Sequence, residues 1–322
     1  MKPWLKALIS AGLLVVLFAI LPWGDVRTAL GRLPTHVWLG VLAGFIGGHL
    51  LGTFKWRLFV NAARADLRPA DALTCYSAGL FANLCLPSII GGDVLRIALA
   101  GKLTRRPEAA LWGGVMDRLT DMLALTILVT IGGTLARGHL TGWLGEALTV
   151  AIVVGLGLVV LALPLAVRRP LARWPRKLRR PVGRGLVGLR HLWRRPGVAA
   201  AGLLLSLTIQ GGFVLLNAWL GRSIGIEVGL AAWFLVWPLA KIAALLPISL
   251  GGLAVREGSL AALLLPFGVP AAVSVVCSLL WQTVLIAGGL LGGLVWLVLG
   301  RRRHLSLDAG RRKLRTASAE PR

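Results

Sequence analysis

Charge is scarce in this 322-residue chain, and acid is scarcer: 15% of residues are charged, with 12 Asp or Glu against 36 Lys or Arg. Soluble domains carry about 25% charged residues, so an ordinary soluble domain is excluded for want of solvated surface. Cysteine is limited to Cys75, Cys85 and Cys277, all inside apolar stretches and with no Cys-x-x-Cys pair. That excludes a disulfide framework and a zinc site. The five histidines make no HxxxH or HExxH pattern, and no Ser-His-Asp set, phosphate-binding loop or DxD motif is present. Carboxylates without a nucleophile or metal do not make a hydrolase. The chain therefore reads as a non-enzyme with no catalytic residue, no metal and no cofactor.

What is present is apolar length. The hydrophobic fraction is 57% and the mean hydropathy is +0.79. Six segments are long enough to cross a bilayer core of about 30 Å: 4–21, 37–54, 109–135, 147–167, 197–221 and 271–299. The first has Lys2 and Lys6 ahead of it but no small-residue cleavage site after it, so it reads as an uncleaved span. Trp4, Trp23, Trp38, Trp56, Trp143 and Trp219 fall near segment ends, where amphipathic rings sit at headgroup level. The formal net charge of +24 lies between and after the apolar runs, as cytoplasmic Lys and Arg do. A nucleic-acid partner is excluded on that distribution, and anionic headgroups at loop 168–196 and at the tail are the expected partners. Within the loop, Val182, Leu186, Leu189 and Leu192 or Trp193 share a helical face, which fits an interfacial helix or a plain solvated loop.

Two further apolar segments are broken. Ala72 to Leu86 runs into Pro87 and Gly91-Gly92, and Leu230 to Leu246 runs into Pro247 and Gly251-Gly252. Proline removes a helical hydrogen bond and a glycine pair allows a reversal. The stretch 168–195 holds 11 Lys or Arg and no acid, and the tail after Leu299 holds eight against Asp308 and Glu320. Both belong in the cytoplasm. They share that side with the N-terminus only if each broken segment enters and leaves on one face, the first from the cytoplasm and the second from outside. The two breaks also match in sequence: Leu86-Pro87-Ser88-Ile89-Ile90-Gly91-Gly92-Asp93-Val94-Leu95-Arg96 and Leu246-Pro247-Ile248-Ser249-Leu250-Gly251-Gly252-Leu253-Ala254-Val255-Arg256 share LPxxxGGxxxR. Each half then holds three crossings and one hairpin, and an odd number of crossings inverts the second half against the first. The expected fold is an all-α polytopic inverted repeat of six spans and two re-entrant hairpins. Its halves are 1–146 and 147–299, followed by a basic tail, 300–322. Pro87, Gly91, Gly92, Pro247, Ser249, Gly251 and Gly252 shape the hairpins. Matched breaks of this kind mark transporters whose site lies between the repeats.

Ionisable groups in membrane segments need a partner or a wet cavity. Here they are Asp93, Arg96, Asp117, Arg118, Asp121, Lys241, Arg256 and Glu257, with His49 beside them. Arg96 and Arg256 follow the two breaks at the same offset. Their planar forks suit phosphate, and helices starting at Gly92 and Gly252 would add free N–H groups. Equally, Arg96 can pair with Asp93 and Arg256 with Glu257 to lock each hairpin. Asp117 and Asp121 are one turn apart and face one way, fit to bind an amine, carry a proton or be neutralised by Arg118 and another Arg. Their repeat counterparts, Cys277 and Trp281, are uncharged, so this acidic feature belongs to one half.

Gly79-Leu80-Phe81-Ala82-Asn83, Leu86-Pro87, Gly91-Gly92-Asp93-Val94-Leu95-Arg96 and Met116-Asp117-Arg118-Leu119 resemble the lysylphosphatidylglycerol synthase transmembrane-region family. Leu246-Pro247-Ile248-Ser249-Leu250-Gly251-Gly252 with Val255-Arg256-Glu257-Gly258 is similar to that family's second motif, and the likeness runs over about 5–300. Ala254 departs from the Leu-Gly often found there. The resemblance implies a flippase-like domain without the soluble synthase domain, as in the membrane part of the multiple peptide resistance factor. The expected function is movement of an anionic or zwitterionic lipid, or a lipid-linked precursor, between leaflets of the cytoplasmic (inner) membrane, with both termini cytoplasmic. Arg96, Arg256, Asp93, Asp117, Arg118, Asp121 and Glu257 are the expected substrate-binding residues. The alternative is a non-transporting lipid-binding scaffold subunit serving a lipid-biosynthesis enzyme.

Overall fold

The computed structural model describes residues 33–85, 91–136, 195–244 and 254–317, with Thr28 and Gly31. The described residues form eight α-helices and no strand: α1 (Thr35–Ala62), α2 (Pro69–Cys85), α3 (Gly91–Thr104), α4 (Pro107–Leu135), α5 (Pro196–Ser223), α6 (Leu230–Ala244), α7 (Val255–Leu264) and α8 (Ala271–Ala317). A 3₁₀ turn, Leu265–Phe267, follows α7. Proline opens α4 and α5 at the first helical position, where its missing N–H costs nothing and its fixed φ suits a helix.

Four helices are long and apolar enough to cross a bilayer: α1, α4, α5 and the Ala271–Gly300 part of α8, with 28, 29, 28 and 30 residues. At 1.5 Å per residue each reaches about 40 Å. The burial pattern is inside-out for a soluble protein. Leu39, Phe54, Leu204 and Leu294 are exposed, while Lys55, Arg96, Asp117, Arg256 and Glu257 are buried. The chain is a multi-pass membrane protein. The expected spans 37–54, 109–135, 197–221 and 271–299 fall within α1, α4, α5 and α8. The expected spans 4–21 and 147–167, and the segment after Pro181, lie outside the described residues.

Two expectations are corrected in α1. The helix continues beyond residue 54 to Ala62, because its buried stripe of Val41, Phe45, Gly52, Trp56 and Phe59 continues at helical spacing. Trp56 is fully buried and is no interface anchor. Trp38, by contrast, donates its indole N–H to Thr283 Oγ1 of α8 at 2.8 Å.

The broken segments form short helices. α2 and α3 have 17 and 14 residues, α6 and α7 have 15 and 10. At 1.5 Å per residue these span about 15–25 Å, less than a bilayer core. α2 and α3 fold back on one another at a backbone-to-backbone crossing. A Cβ on Gly92 would lie 2.1 Å from the Gly79 carbonyl oxygen and 2.4 Å from Asn83 Oδ1, so only glycine fits. The Gly92 N–H donates to Asn83 Oδ1 at 3.0 Å. α3 begins at Gly91, one residue before the expected Gly92, and α7 begins at Val255, three residues after the expected start. Its preceding residue, Ala254, has φ 66° and ψ −35°, which no right-handed helix accommodates. Pro87, Pro247, Ser249, Gly251 and Gly252 lie outside the described residues.

Packing directions follow from named contacts. Cβ atoms built at Gly40, Gly44 and Gly48 of α1 would meet Trp219, Leu216 and Phe213 of α5, so α1 and α5 run antiparallel. Small residues one turn apart let membrane helices approach closely. Gly113 of α4 meets Val60 of α1 and Asp117 meets Lys55, which makes that pair antiparallel too. α4 and α5 run parallel, with Met116 near Val198 and Asp121 at Ser206. α1 and α8 also run parallel, through Trp38 with Thr283 and Phe45 with Gly288. The set of packed pairs maps onto itself when α1–α4 are exchanged with α5–α8: α2·α8 with α6·α4, α2·α3 with α6·α7, α3·α4 with α7·α8, and α1·α5 with itself.

Candidate functional site: a charged cavity at mid-depth

A cavity of about 120 Å³ lies between these helices, lined by side chains of α1 to α6. That volume holds several waters. His49, Asp121 and Gln210, all lining it, sit at or beside the midpoints of α1 (Thr35–Ala62), α4 (Pro107–Leu135) and α5 (Pro196–Ser223). The cavity is therefore at the mid-length of three spanning helices. Asn83, Gly92 and Asp93 reach it from the ends of α2 and α3 at the first break, and Lys241 reaches it from the end of α6 before the second.

Its wall is a continuous ionic network. Lys55, 1% exposed, places Nζ 2.9 Å from Asp117 Oδ1 and 2.5 Å from Asp121 Oδ1. It also donates to Ser206 Oγ at 2.8 Å, and that hydroxyl donates to Asp121 Oδ1 at 2.9 Å. Arg96 donates through Nη2 to Asp117 Oδ2 at 2.7 Å and pairs with Asp93 Oδ1 at 2.9 Å. Its guanidinium lies 5.2 and 5.0 Å from the Trp56 and Tyr76 ring centres, two cation–π contacts. Arg118 donates through Nε to Asp93 Oδ2 at 2.6 Å. Lys241 donates to Gln210 Oε1 at 2.6 Å and lies 5.2 Å from the Phe213 ring centre. Buried charges persist only when paired and hydrogen-bonded, and here each carboxylate has at least one cation.

Arg256 and Glu257 form a second, separate cluster between α7 and α8. Arg256 donates to Glu257 Oε1 at 2.7 Å, to Ser278 Oγ at 2.9 Å and to Gln282 Oε1 at 2.9 Å. Ser278 donates to Glu257 Oε1 at 3.1 Å. Glu257 is wholly buried.

Of the residues expected at the site, Asp93, Arg96, Asp117, Arg118 and Asp121 come together at the cavity, whereas Arg256 and Glu257 are not part of its lining. Both local pairings open at the sequence level are present: Arg96 with Asp93 and Arg256 with Glu257. The two aspartates of α4 do face one way, since one ammonium holds both. Their neutralisation comes from Lys55 and Arg96, while Arg118 turns to Asp93. Sequence reasoning missed Lys55, Ser206, Gln210, Tyr76 and the buried Trp56. Lys55 was readable in principle, because it lies on the same helical stripe as Val41, Phe45 and Gly52. The second half supplies aromatic rings where the first supplies charge: Trp281 stacks edge-on with Phe45 and Trp237 at centroid distances of 5.7 and 5.2 Å.

The profile of the lysylphosphatidylglycerol synthase TM region family matches residues 4–306, and the chain belongs to that family. No curated protein and no solved structure matches it. Membership assigns the chain a function concerned with membrane lipids.

Proposed function

We propose that the chain is a carrier, without chemistry of its own, that moves a phosphate-bearing lipid or lipid-linked precursor between leaflets through this cavity. The observation that carries the reading is one charged cavity at mid-depth to which the ends of both broken segments contribute. Ion pairs at that depth are expensive and mark transport routes. A headgroup crossing the core needs a polar resting place there, and the paired carboxylates and cations supply one whose charges are already fixed.

The helix directions support an inverted repeat of the halves 1–146 and 147–299. Equivalent helices α1 and α5 run antiparallel, and the packing is unchanged by exchange of the halves. The short α2–α3 and α6–α7 pairs support two re-entrant hairpins. The parallel and antiparallel pairs agree with the topology drawn from charge parity, which puts both termini and the loop 168–196 in the cytoplasm of an inner-membrane protein. Anionic headgroups would hold that loop and the tail. In such folds one repeat rocks against the other around a fixed site. Arg118, with 38% of its side chain exposed, would be the member of the network that first meets an incoming headgroup.

The test is leaflet exchange of labelled lipids in proteoliposomes, comparing the wild type with Arg96→Met at the cavity and Arg256→Met in the second hairpin. Exchange lost in both variants, with folding retained, is the expected result. Tight lipid binding without exchange identifies a scaffold that presents lipid to an enzyme, and neither exchange nor binding sinks both readings.

A further inference from the structure

The charged side chains lining the cavity do not balance. Lys55, Arg96, Arg118 and Lys241 face Asp93, Asp117 and Asp121, four cations against three carboxylates among the described residues. The surplus can be located. Lys55 is shared between Asp117 and Asp121, Arg96 between Asp93 and Asp117, and Arg118 is committed to Asp93. Lys241 has no carboxylate in ion-pair range among the described residues. Its ammonium meets a neutral amide oxygen, Gln210 Oε1, and the face of Phe213. An ammonium has three donors and no acceptor, so the Gln210 bond leaves donors unspent beside a cavity.

We infer that the ligand of this cavity is a lipid phosphodiester with one net negative charge, and that Lys241 holds its phosphate; this rests on the reading of the cavity as a lipid site. One negative charge brings the lining to neutrality. A zwitterionic headgroup carries its own cation and leaves the surplus in place, and a phosphomonoester dianion overshoots it. Arg96, the sequence's leading phosphate candidate, has its charge offset by Asp93 and Asp117 through one guanidinium nitrogen. Its buried Nε–H has no partner among the described residues and can add a hydrogen bond, but the charge left over is that of Lys241. The lining also has an apolar part, Leu80, Leu125, Ile209 and Phe213, the last of them against Lys241, which suits the glycerol and upper acyl part of a lipid better than a free, fully hydrated phosphate.

The experiment is binding to the purified full chain in detergent, measured by native mass spectrometry with short-chain phosphatidylglycerol, phosphatidylcholine and phosphatidic acid, and with soluble glycerol phosphate as competitor. Phosphatidylglycerol should bind at least tenfold more tightly than the other two lipids and should resist equimolar glycerol phosphate. Lys241→Gln should weaken phosphatidylglycerol at least tenfold and leave phosphatidylcholine within about twofold, while Lys241→Arg retains the preference. Equal affinity for the three lipids, unchanged phosphatidylglycerol binding in Lys241→Gln, or displacement by glycerol phosphate overturns the inference. If Lys241→Gln does not fold, the headgroup ranking of the wild type and Lys241→Arg decides alone. Leaflet exchange separates the two readings. Charge-selective binding without exchange keeps this inference and sinks translocation, whereas exchange indifferent to headgroup charge and to Lys241 does the reverse.

Discussion

Replacing Lys55 by methionine keeps the length of the side chain and removes the ammonium that two carboxylates share. At an effective dielectric of about 20, unit charges at the 2.5 Å between Lys55 Nζ and Asp121 Oδ1 attract by about 7 kcal/mol before desolvation is set against it. The net loss on removing one partner of a buried pair is about 3–5 kcal/mol, because the other charge stays behind. Asp117 keeps Arg96, but Asp121 keeps only the Ser206 hydroxyl as a described donor. The damage should therefore concentrate on Asp121, and it should be repairable there. The double variant Lys55→Met with Asp121→Asn removes one charge of each sign, so the network keeps its wild-type net charge and Asp121 no longer holds a carboxylate without a cation. It should recover about 1–3 kcal/mol relative to Lys55→Met, the usual coupling between residues in one network. Unfolding followed by tryptophan fluorescence in detergent, over the full double-mutant cycle, measures this directly. If the double variant is as unstable as the sum of its parts, Lys55 and Asp121 are not energetically coupled, and the network described above is wrong at its centre.

Gly92→Ala should destabilise by at least about 2 kcal/mol, since the new Cβ would lie 2.1 Å from the Gly79 carbonyl oxygen and backbone cannot yield as side chains do. Gly212→Ala, with nothing within 4 Å of the added Cβ, should be neutral or gain up to about 1 kcal/mol of helix propensity; the same melting assay compares the two, and equal losses would refute the α2–α3 crossing. Ala254→Gly should raise stability by about 1 kcal/mol, because φ 66° strains any residue with a Cβ; a loss on this substitution would mean that residue 254 has another conformation. In the second cluster Arg256→Met should cost about 3–5 kcal/mol by leaving the buried Glu257 carboxylate without its cation. Glu257→Gln should cost less, because its amide oxygen still accepts from Arg256 and Ser278; the reverse order in chemical denaturation would show that Glu257 is not ionised against Arg256.

The long helices were readable because lipid demands uninterrupted apolar runs of known length, and α1, α4, α5 and α8 fall on four such runs. The five ionisable groups of one site were readable for the complementary reason: a charge in such a run is too costly to be accidental. What failed was what depends on tertiary partners. Lys55 follows an apolar stretch and precedes Arg57, as a headgroup-level flank does; its register with Val41, Phe45 and Gly52 is the one local sign of burial, and only Asp117 and Asp121 of α4 explain it. Ser206 and Gln210 are neutral, so hydropathy passes over them, although each accepts a hydrogen bond from a lysine, Lys55 and Lys241 respectively. Trp56 looked like an anchor until Arg96 covered its ring.

The matched arginines show the limit of reasoning by repeat. Symmetry of sequence led to an expectation of symmetric roles, yet Arg96 joins a network of aspartates on α3 and α4, and Arg256 pairs with Glu257 of its own helix and joins Ser278 and Gln282 on α8. The cause lies in the fourth helix of each half. α4 carries Asp117 and Asp121 and α8 carries Ser278 and Gln282, so the arginine of the short helix meets a carboxylate on the fourth helix in one half and neutral acceptors there in the other, where its anion, Glu257, comes from its own helix. The helix-to-helix packing is the same in both halves. Charge was not kept, because one polar cavity serves both halves. An asymmetric cavity inside a symmetric frame would suit the carrier proposed above: in such a protein two equivalent scaffolds would exchange outward and inward shapes around a single set of charges, centred on Lys55 and completed by Lys241.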